Sequence, residues 1–383
     1  MGKRKRIGLS VVFDNESNSG IVNYIISIIR GFNLLPAEKK PDLVIFHSAT
    51  APLQQIRETG YPHLSFYPLP ADKFPRDIFK RLVNAFSRRI LGKQIYSNQV
   101  PATTVDYIFP IFPFDWYYEK IRNKVNWLVD FNPYYFPDHY EDKGEWYKQW
   151  HSGIAATTDR VVLSSYSSYD DYKKFYPAHK TETHILRFSA MLPDFSSVDA
   201  EALKKRLGIR SPYFITPNQF WEHKNHIVIL KAFKMLQDAG QSVELVFTGS
   251  MGVNRGKGFQ FEKLREFVDT NGFQEKVHFL GVMDRKEQLA LMANSAAIIQ
   301  PSLFEGWSTL VEESKSIGKF IILSDIPVHR EQIDRNCLFF NPHSPEDLFE
   351  KATTFLSGGC KFEPADYKPA ALRFADDLLK VFH

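Results

Sequence analysis

The feature that most constrains this chain is an alternation that occurs twice. Short runs rich in β-branched and aromatic residues fall at 7–13, 42–48, 63–68, 107–112, 125–130 and 160–164, and again at 213–216, 243–248, 277–281, 297–300, 320–324 and 338–341. Segments of helical periodicity lie between them. That alternation predicts βαβ units with parallel strands, and its two series predict two doubly wound α/β domains. Between 187 and 212 the chain becomes rich in Ser, Asp and Pro before a short charged helix, which reads as a linker. The expected division is a Rossmann-like domain over 1–190, a second over 191–360, and a terminal segment over 361–383 whose helix crosses back to the first domain.

Composition narrows the class. With 383 residues, 44% of them hydrophobic and 24% charged, the chain can bury two cores and is not a disordered polymer. A formal net charge of +4 is too mild for a mainly electrostatic nucleic-acid binder. Two cysteines, Cys337 and Cys360, are too few for a disulfide framework or a zinc site, which makes a reducing cytoplasm the expected compartment. The basic run Lys3-Arg4-Lys5-Arg6 is followed by an apolar stretch that Asp14, Asn15 and Glu16 interrupt, so it reads as a solvated tail leading into a strand. No run approaches the ~18 apolar residues of a membrane span. The expectation is a cytoplasmic protein, soluble or peripheral on the inner face of the membrane.

Ligands of open α/β sheets gather beyond the carboxyl ends of the strands. By that rule the richest segment is 300–313, which leaves a strand, crosses the turn Phe304-Glu305-Gly306-Trp307 and enters a helix through Ser308-Thr309-Leu310-Val311-Glu312-Glu313. Thr309 and Glu312 have capping-box spacing, which starts the helix at Leu310 and leaves Glu305 in the turn and Glu313 near the first helical turn. Such a helix end carries free N–H groups and suits a phosphate. Gly306 would let the backbone approach that ligand without a Cβ in the way. Spacing alone leaves a plainer alternative, in which Glu312 and Glu313 are first-turn acids and Glu305 is a surface residue.

The paired glutamates of Phe-Glu-Gly-Trp-Ser-Thr-Leu-Val-Glu-Glu, with seven residues between Glu305 and Glu313, resemble the signature of retaining GT-B glycosyltransferases of family 4. The segment 216–226, Thr-Pro-Asn-Gln-Phe-Trp-Glu-His-Lys-Asn-His, looks like that family's donor-phosphate loop. Phe247-Thr248-Gly249 and Phe279-Leu280-Gly281 stand where the family has strand ends, the second near the nucleotide base. The resemblance covers the whole C-terminal domain. In the N-terminal domain it rests on Ser19-Gly20 opening a helix, on 127–131, and on the strand-helix segment 164–177.

What the resemblance implies is specific. Glu305 would hydrogen-bond the transferred sugar, Glu313 would bind the ribose, and Lys224 would lie against the diphosphate. Gly306, Trp307, Ser308 and Thr309 would border the donor, as would Asn218, Gly281, Val282 and, from the first domain, Gly20. Many relatives carry an arginine six positions before the lysine; here Asn218 stands there, which leaves the helix after Gly306 or Arg255 to offset the charge. The histidine that often follows the Asp-Phe pair in relatives is replaced by Asn132-Pro133, which leaves Asp130 as the acceptor-side candidate, with capping of the next segment as its alternative role. His223 and His226 flank Lys224 and would shape its loop. Across the whole sequence there is no Asp-x-Asp triplet and no Gly-x-Gly-x-x-Gly fingerprint, so neither a metal nor a nicotinamide cofactor is expected. The implied partners are a nucleotide diphosphate sugar as donor and a saccharide or lipid-linked saccharide as acceptor, in assembly of a cell-surface polysaccharide. A nucleotide-sugar epimerase of the same fold and a non-catalytic sugar-nucleotide-binding subunit remain as alternatives.

One further segment stands out. From 74 to 93, Phe74, Ile78, Leu82, Phe86 and Ile90 recur every four residues after Pro75, among Lys73, Arg76, Lys80, Arg81, Arg88, Arg89 and Lys93. The ordinary expectation is that this stripe packs on the first sheet with its basic face in water. The other is peripheral contact with anionic lipid.

Overall fold

The computed structural model describes residues 4–12, 19–70, 77–91, 96, 98–112, 116–157, 159–210, 212–252 and 258–383, with the side chains of Ser19, Arg88 and Leu91 not described. The first sheet has seven strands: β1 (Arg6–Val11), β2 (Asp42–His47), β3 (Leu64–Pro68), β4 (Tyr107–Ile111), β5 (Asn123–Leu128), β6 (Arg160–Leu163) and β7 (Glu182–Ile185). They are parallel throughout, in the order β3-β2-β1-β4-β5-β6-β7. Helices α1 (Ser19–Asn33), α2 (Leu53–Arg57), α3 (Ile78–Leu91), α4 (Asn132–Tyr135), α5 (Glu145–Ala155) and α6 (Tyr166–Phe175) connect them.

The second sheet holds β8 (Tyr213–Pro217), β9 (Glu244–Thr248), β10 (Val277–Phe279), β11 (Ala297–Gln300), β12 (Ile321–Ser324) and β13 (Cys337–Phe340), also parallel, in the order β10-β9-β8-β11-β12-β13. Its helices are α7 (Ala200–Arg206), α8 (His226–Asp238), α9 (Phe261–Thr270), α10 (Arg285–Asn294), α11 (Thr309–Ile317), α12 (Pro327–Gln332) and α13 (Pro345–Leu356), and the chain closes on α14 (Lys368–Val381). Both sheets are Rossmann-like. Strands buried on two faces read as unbroken apolar runs, and β9, β11 and β12 are buried at every position. Each strand expected from sequence is present, to within a few residues at its ends. The strand missed is β7, an edge strand of sequence Glu-Thr-His-Ile that is only partly buried and so lacks an apolar run.

Two cores form on the faces of the second sheet. The first sheet has a core under α1, in which Ile25, Ile28, Ile29 and Phe32 meet Ile7, Leu9, Leu43 and Ile45. That core is completed from the far end of the chain. Phe374, Ala375, Leu378, Val381 and Phe382 of α14 and its C-terminus pack into it, and Lys5 donates to the carbonyl of Phe382 at 2.7 Å.

The two domains touch through named groups. The carboxylate of Glu331, at the end of α12, accepts from the backbone N–H groups of Tyr166 (3.0 Å) and Ser167 (3.1 Å) and so caps α6 of the first domain. Ser168 Oγ donates to the carbonyl of Gly306 at 3.3 Å. Tyr367, just before α14, accepts from the N–H of Ala190 at 2.8 Å and donates to Glu312 of α11 at 2.6 Å, tying the linker to the second domain.

The sequence expectation for the 74–93 helix is corrected here. Residues 74–76 and 92–93 lie outside the described residues, but Ile78, Phe79, Leu82, Phe86 and Ile90 are 61–74% exposed, so the stripe faces away from the sheet. The sheet face it was expected to cover is filled instead by Val44, Phe46, Val100, Val105, Ile108, Tyr118 and Ile121.

Leu378 is fully buried between α14 and α1. Leu378→Ala should therefore lower stability by about 2–5 kcal/mol, the range for a truncated buried leucine, read as a shift of the urea midpoint at unchanged slope. A loss below about 0.5 kcal/mol, the scale of surface substitutions, would show that α14 is not part of that core.

Candidate functional site

In the second sheet, β8 and β11 are neighbours from which the strand order runs outward in opposite directions. A crevice opens beyond the carboxyl ends of such a pair. The loop after β8 carries Lys224 and the loop after β11 carries Glu305, so the topology delivers both to one place.

Local contacts then fix them. Asn225 sits in the left-handed region with φ 55°, a conformation Asn tolerates, and its amide donates to the carbonyls of Pro301 (3.2 Å) and Pro342 (2.8 Å). Leu303 N–H donates to the carbonyl of His223 at 2.7 Å. These bonds lace the two loops together and set Lys224 Nζ 2.6 Å from Glu305 Oε1. The same oxygen accepts from Ser302 Oγ at 2.7 Å and Gln300 Nε2 at 2.9 Å. Burial alone would raise the Glu305 pKa, but the charge of Lys224 and hydrogen bonds from Lys224 and Ser302 outweigh it and hold the carboxyl below its ordinary value.

Gln300 is the hub of the second tier. Its amide nitrogen also reaches Ser308 Oγ at 2.9 Å, and its oxygen accepts from the amide of Asn218. Asn218 therefore lines the cleft while its side chain supports Gln300. Ser308, not Thr309, caps α11: its hydroxyl accepts from Val311 N–H at 3.4 Å. The capping box expected from Thr309 and Glu312 does not form. Glu312 turns inward instead, to Lys315 (2.8 Å), Gln332 (3.3 Å) and Tyr367. Thr309 is the first residue of the helix and faces the cleft.

Gly306 has a different task from the one expected. A Cβ there would stand 2.3 Å from the carbonyl oxygen of Val129 and 2.8 Å from Cβ of Asp130. Its missing side chain lets the two domains meet backbone to backbone, and Val129, rather than a ligand, occupies the space. Trp307 lines the cleft and donates its indole N–H to the carbonyl of Phe188 at 3.0 Å.

The cleft between the domains has a volume of about 570 Å³, within the range of small-molecule sites, ~300–1,000 Å³. From the second domain Asn218, Lys224, Gly281, Val282, Glu305, Ser308 and Glu313 line it, and from the first Gly20, Asn23, Ser27 and Arg30. Val282 is 74% exposed at its rim. Gly249, with φ 149°, brings β9 against the β8 loop; a Cβ there would lie 2.5 Å from the Asn218 carbonyl oxygen. Its N–H donates to the carbonyl of Gly281 at 2.9 Å, which aligns the two strand ends.

Asp130 stands apart from the lining. Its carboxylate accepts from Asn132 N–H at 2.8 Å, the capping role weighed from sequence. Removal from water raises its pKa; the Asn132 bond and the charge of Lys224 oppose the rise, and Glu305 adds to it. His223 packs near Phe136 and His139 of the first domain; burial first, then Lys224, pushes its pKa down to about 3. His226 is buried between Phe220 and Phe247, pushed down to about 3 by burial, and among the described residues neither ring nitrogen has a hydrogen-bond partner. Both histidines are neutral at pH 7. Arg255 lies outside the described residues.

Arg30, Lys286 and Arg285 line the cleft and escaped the sequence reading. Arg285, at the start of α10, pairs with Glu313. It also donates to Gln288 Oε1 at 2.6 Å, and Gln288 in turn donates to Thr248 Oγ1 at 2.7 Å. The signal was present: an Asp-Arg pair opening a helix just after a Gly-containing strand end at the carboxyl edge.

Comparison with known proteins bears on this arrangement. Residues 199–371 match the family described as Glycosyl transferases group 1. The matched span contains Lys224, Glu305 and Glu313. The chain is 25% identical over 222 residues to the O-antigen chain mannosyltransferase of Salmonella typhimurium, an alignment covering 58% of each chain; it thus spans little more than half of that relative's length. Among solved structures it superposes on sucrose-phosphate synthase from Thermosynechococcus elongatus with a TM-score of 0.64 at 14% identity, over 99% of this chain and 95% of that one. It superposes on Anabaena HepE, solved with UDP and glucose, with a TM-score of 0.63 at 14% identity, over 98% and 94%. The fold is GT-B, two Rossmann-like domains across a cleft.

The site predicts its own pH dependence. Lys224→Met would leave the Glu305 carboxylate buried without its cation, a change that costs roughly 3–5 kcal/mol for a buried pair. Because the folded pKa of Glu305 lies below its unfolded value of about 4.3, the stability it contributes is complete above that value and is lost as pH falls through the folded one. The gap in melting temperature between wild type and Lys224→Met should therefore be full at pH 7 and shrink below about pH 4. A gap independent of pH would refute the pairing.

Proposed function

We propose that this chain transfers a hexose from a nucleotide diphosphate sugar to a hydroxyl of a saccharide acceptor, with retention of anomeric configuration, in assembly of a cell-surface polysaccharide. The observation that carries this reading is that one cleft gathers Lys224, Glu305, Glu313 and the N-terminus of α11 at the point where the strand order reverses.

In this reading the diphosphate lies at the start of α11, where the helix end and the Lys224 ammonium offset the charge that grows as the sugar–phosphate bond breaks. Arg285 adds a second cation from α10 and supplies what Asn218 lacks. Glu305, already held charged, accepts hydrogen bonds from the sugar hydroxyls and orients the ring toward the acceptor. Glu313 shares its carboxylate between Arg285 and the ribose hydroxyls. Gly281 and Val282 border the base, and Gly20 meets the donor from the first domain. The acceptor enters on the side of Asp130. The charge on the diphosphate is met by the chain's own groups, with no metal or cofactor needed in this scheme. Mannose is the first sugar to test, given the activity named for the Salmonella relative. A lipid-linked saccharide is the acceptor that fits a surface polysaccharide, and it would place the reaction at the cytoplasmic face of a membrane.

The reading predicts that one nucleotide sugar in a panel raises the melting temperature, by up to about 2.7 kcal/mol of added stability at a hundredfold excess over Kd. With that donor and an oligosaccharide acceptor, NMR should show the product anomer matching the donor. Glu305→Gln should lower turnover roughly a hundredfold with donor affinity kept, whereas Glu313→Ala should weaken donor binding roughly tenfold or more. Near-wild-type turnover in Glu305→Gln would overturn the assignment. Free epimerised donor without acceptor would make the chain an epimerase, and donor binding without transfer or hydrolysis would make it a binding subunit.

A further inference from the structure

Helix α3 is built the reverse way from a helix that packs on a sheet. Its inward side carries Asn84 and Ser87, both buried, with Val83 beside them. Asn84 is held there by two bonds to one residue, its amide donating to the carbonyl of Tyr96 at 2.6 Å and its oxygen accepting from Tyr96 N–H at 2.8 Å. Its outward side carries Ile78, Phe79, Leu82, Phe86 and Ile90, each more than half exposed. At about 100° per residue these five fall within an arc of roughly 120°, a continuous apolar stripe.

The charge on the helix is of one sign. Over Ile78–Leu91 the sequence Ile-Phe-Lys-Arg-Leu-Val-Asn-Ala-Phe-Ser-Arg-Arg-Ile-Leu contains four cations and no acid. Lys80, Arg81 and Arg89 are exposed; Arg89 falls within the stripe and Arg81 along its edge. Asp77, which directly precedes the helix, is engaged as its cap, accepting from Lys80 N–H at 3.1 Å. Among the described residues the stripe is left exposed, and Val44, Phe46, Val100, Val105, Ile108, Tyr118 and Ile121 fill that face of the sheet.

We propose that the exposed face of α3 lies in the interface of an anionic lipid membrane. The chemistry matches on both counts. The stripe supplies apolar side chains for the acyl boundary, and a uniformly cationic edge meets the headgroups at the same depth. A second copy of the chain fits less well, since a two-fold contact through the stripe would bring the cations of two helices together with no acid on either. No helix among the described residues is long and apolar enough to cross a membrane, so the contact is peripheral. The inference stands on α3 alone and holds whether or not the cleft transfers sugar.

The test is flotation of the full chain with vesicles of phosphatidylcholine, with and without phosphatidylglycerol, at low and high salt. Wild type should float with anionic vesicles at low salt and stay behind with neutral ones, and high salt should weaken binding. Arg81→Gln with Arg89→Gln should weaken partition roughly thirtyfold, given about 1 kcal/mol per cation near the surface. Leu82→Ser with Phe86→Ser should abolish flotation; because both side chains are exposed, its melting temperature should match wild type, which separates lost binding from lost fold. Wild type left behind with anionic vesicles would overturn the proposal, as would a serine variant that floats like wild type. Light scattering that shows a dimer dispersed by the serine variant, with no vesicle binding, would make the face a self-association surface instead.

Discussion

The cleft depends on one carboxylate kept charged away from water. Glu305 is buried, and an isolated buried carboxylate would take up a proton to escape the cost of desolvation. Lys224 at 2.6 Å, with donors from Ser302 and Gln300, prevents that. Each partner is placed by a separate device: Lys224 by the amide of Asn225 bridging two carbonyls, Gln300 by its position as the last residue of a fully buried strand, Ser302 by the turn itself. The charged and polar groups of the site thus satisfy one another, and the same bonds hold the loops in register.

The same loop joins the domains. Immediately after Glu305, Gly306 meets the backbone of Val129 and Asp130, and Trp307 reaches the carbonyl of Phe188. Further round the interface Glu331 caps α6, and Tyr367 links Ala190 to Glu312. Aromatic packing accompanies these polar bonds: Phe304 lies 5.0 Å from Tyr135 between ring centres, and Trp307 packs against the core of the first domain. Residues that line the cleft and residues that touch the first domain alternate along one short stretch.

Much of this was legible in the sequence, for a physical reason. Parallel strands buried on both faces carry apolar runs, Leu-Val-Phe in β9, Ala-Ile-Ile in β11 and Ile-Ile-Leu in β12, so these announced themselves, and the sheet pattern led to two Rossmann-like domains. β7 did not, because an edge strand needs no such run. The segment 300–313 was found because it leaves a strand end and enters a helix, and Lys224 was found by its place after the first strand of the second domain. What escaped depends on packing. Thr309 and Ser308 are equally good caps on paper, and only the bond to Val311 separates them. Glu312 could have completed a capping box, but Tyr367, distant in sequence, draws it inward. Gly306 reads as a ligand-facing glycine until the Val129 carbonyl is seen beneath it. Arg285 was passed over although an Asp-Arg pair opens its helix, because only the folded chain brings it to Glu313, 28 residues away. The stripe of α3 has the period of a core helix, and nothing in that period says that residues 100–121 have already taken the seat.

An outward-facing apolar stripe also frees a helix from the rest of the molecule. The side chains of Ile78, Leu82, Phe86 and Ile90 hold up no layer of the domain, so changes among them leave the cores on both sheets untouched. Selection can act on that face without renegotiating the fold, and a chain of this architecture can drift from one external surface to another by altering a handful of residues on a single helix. The cleft and the outward helix are written in separate parts of the sequence and can change at separate rates.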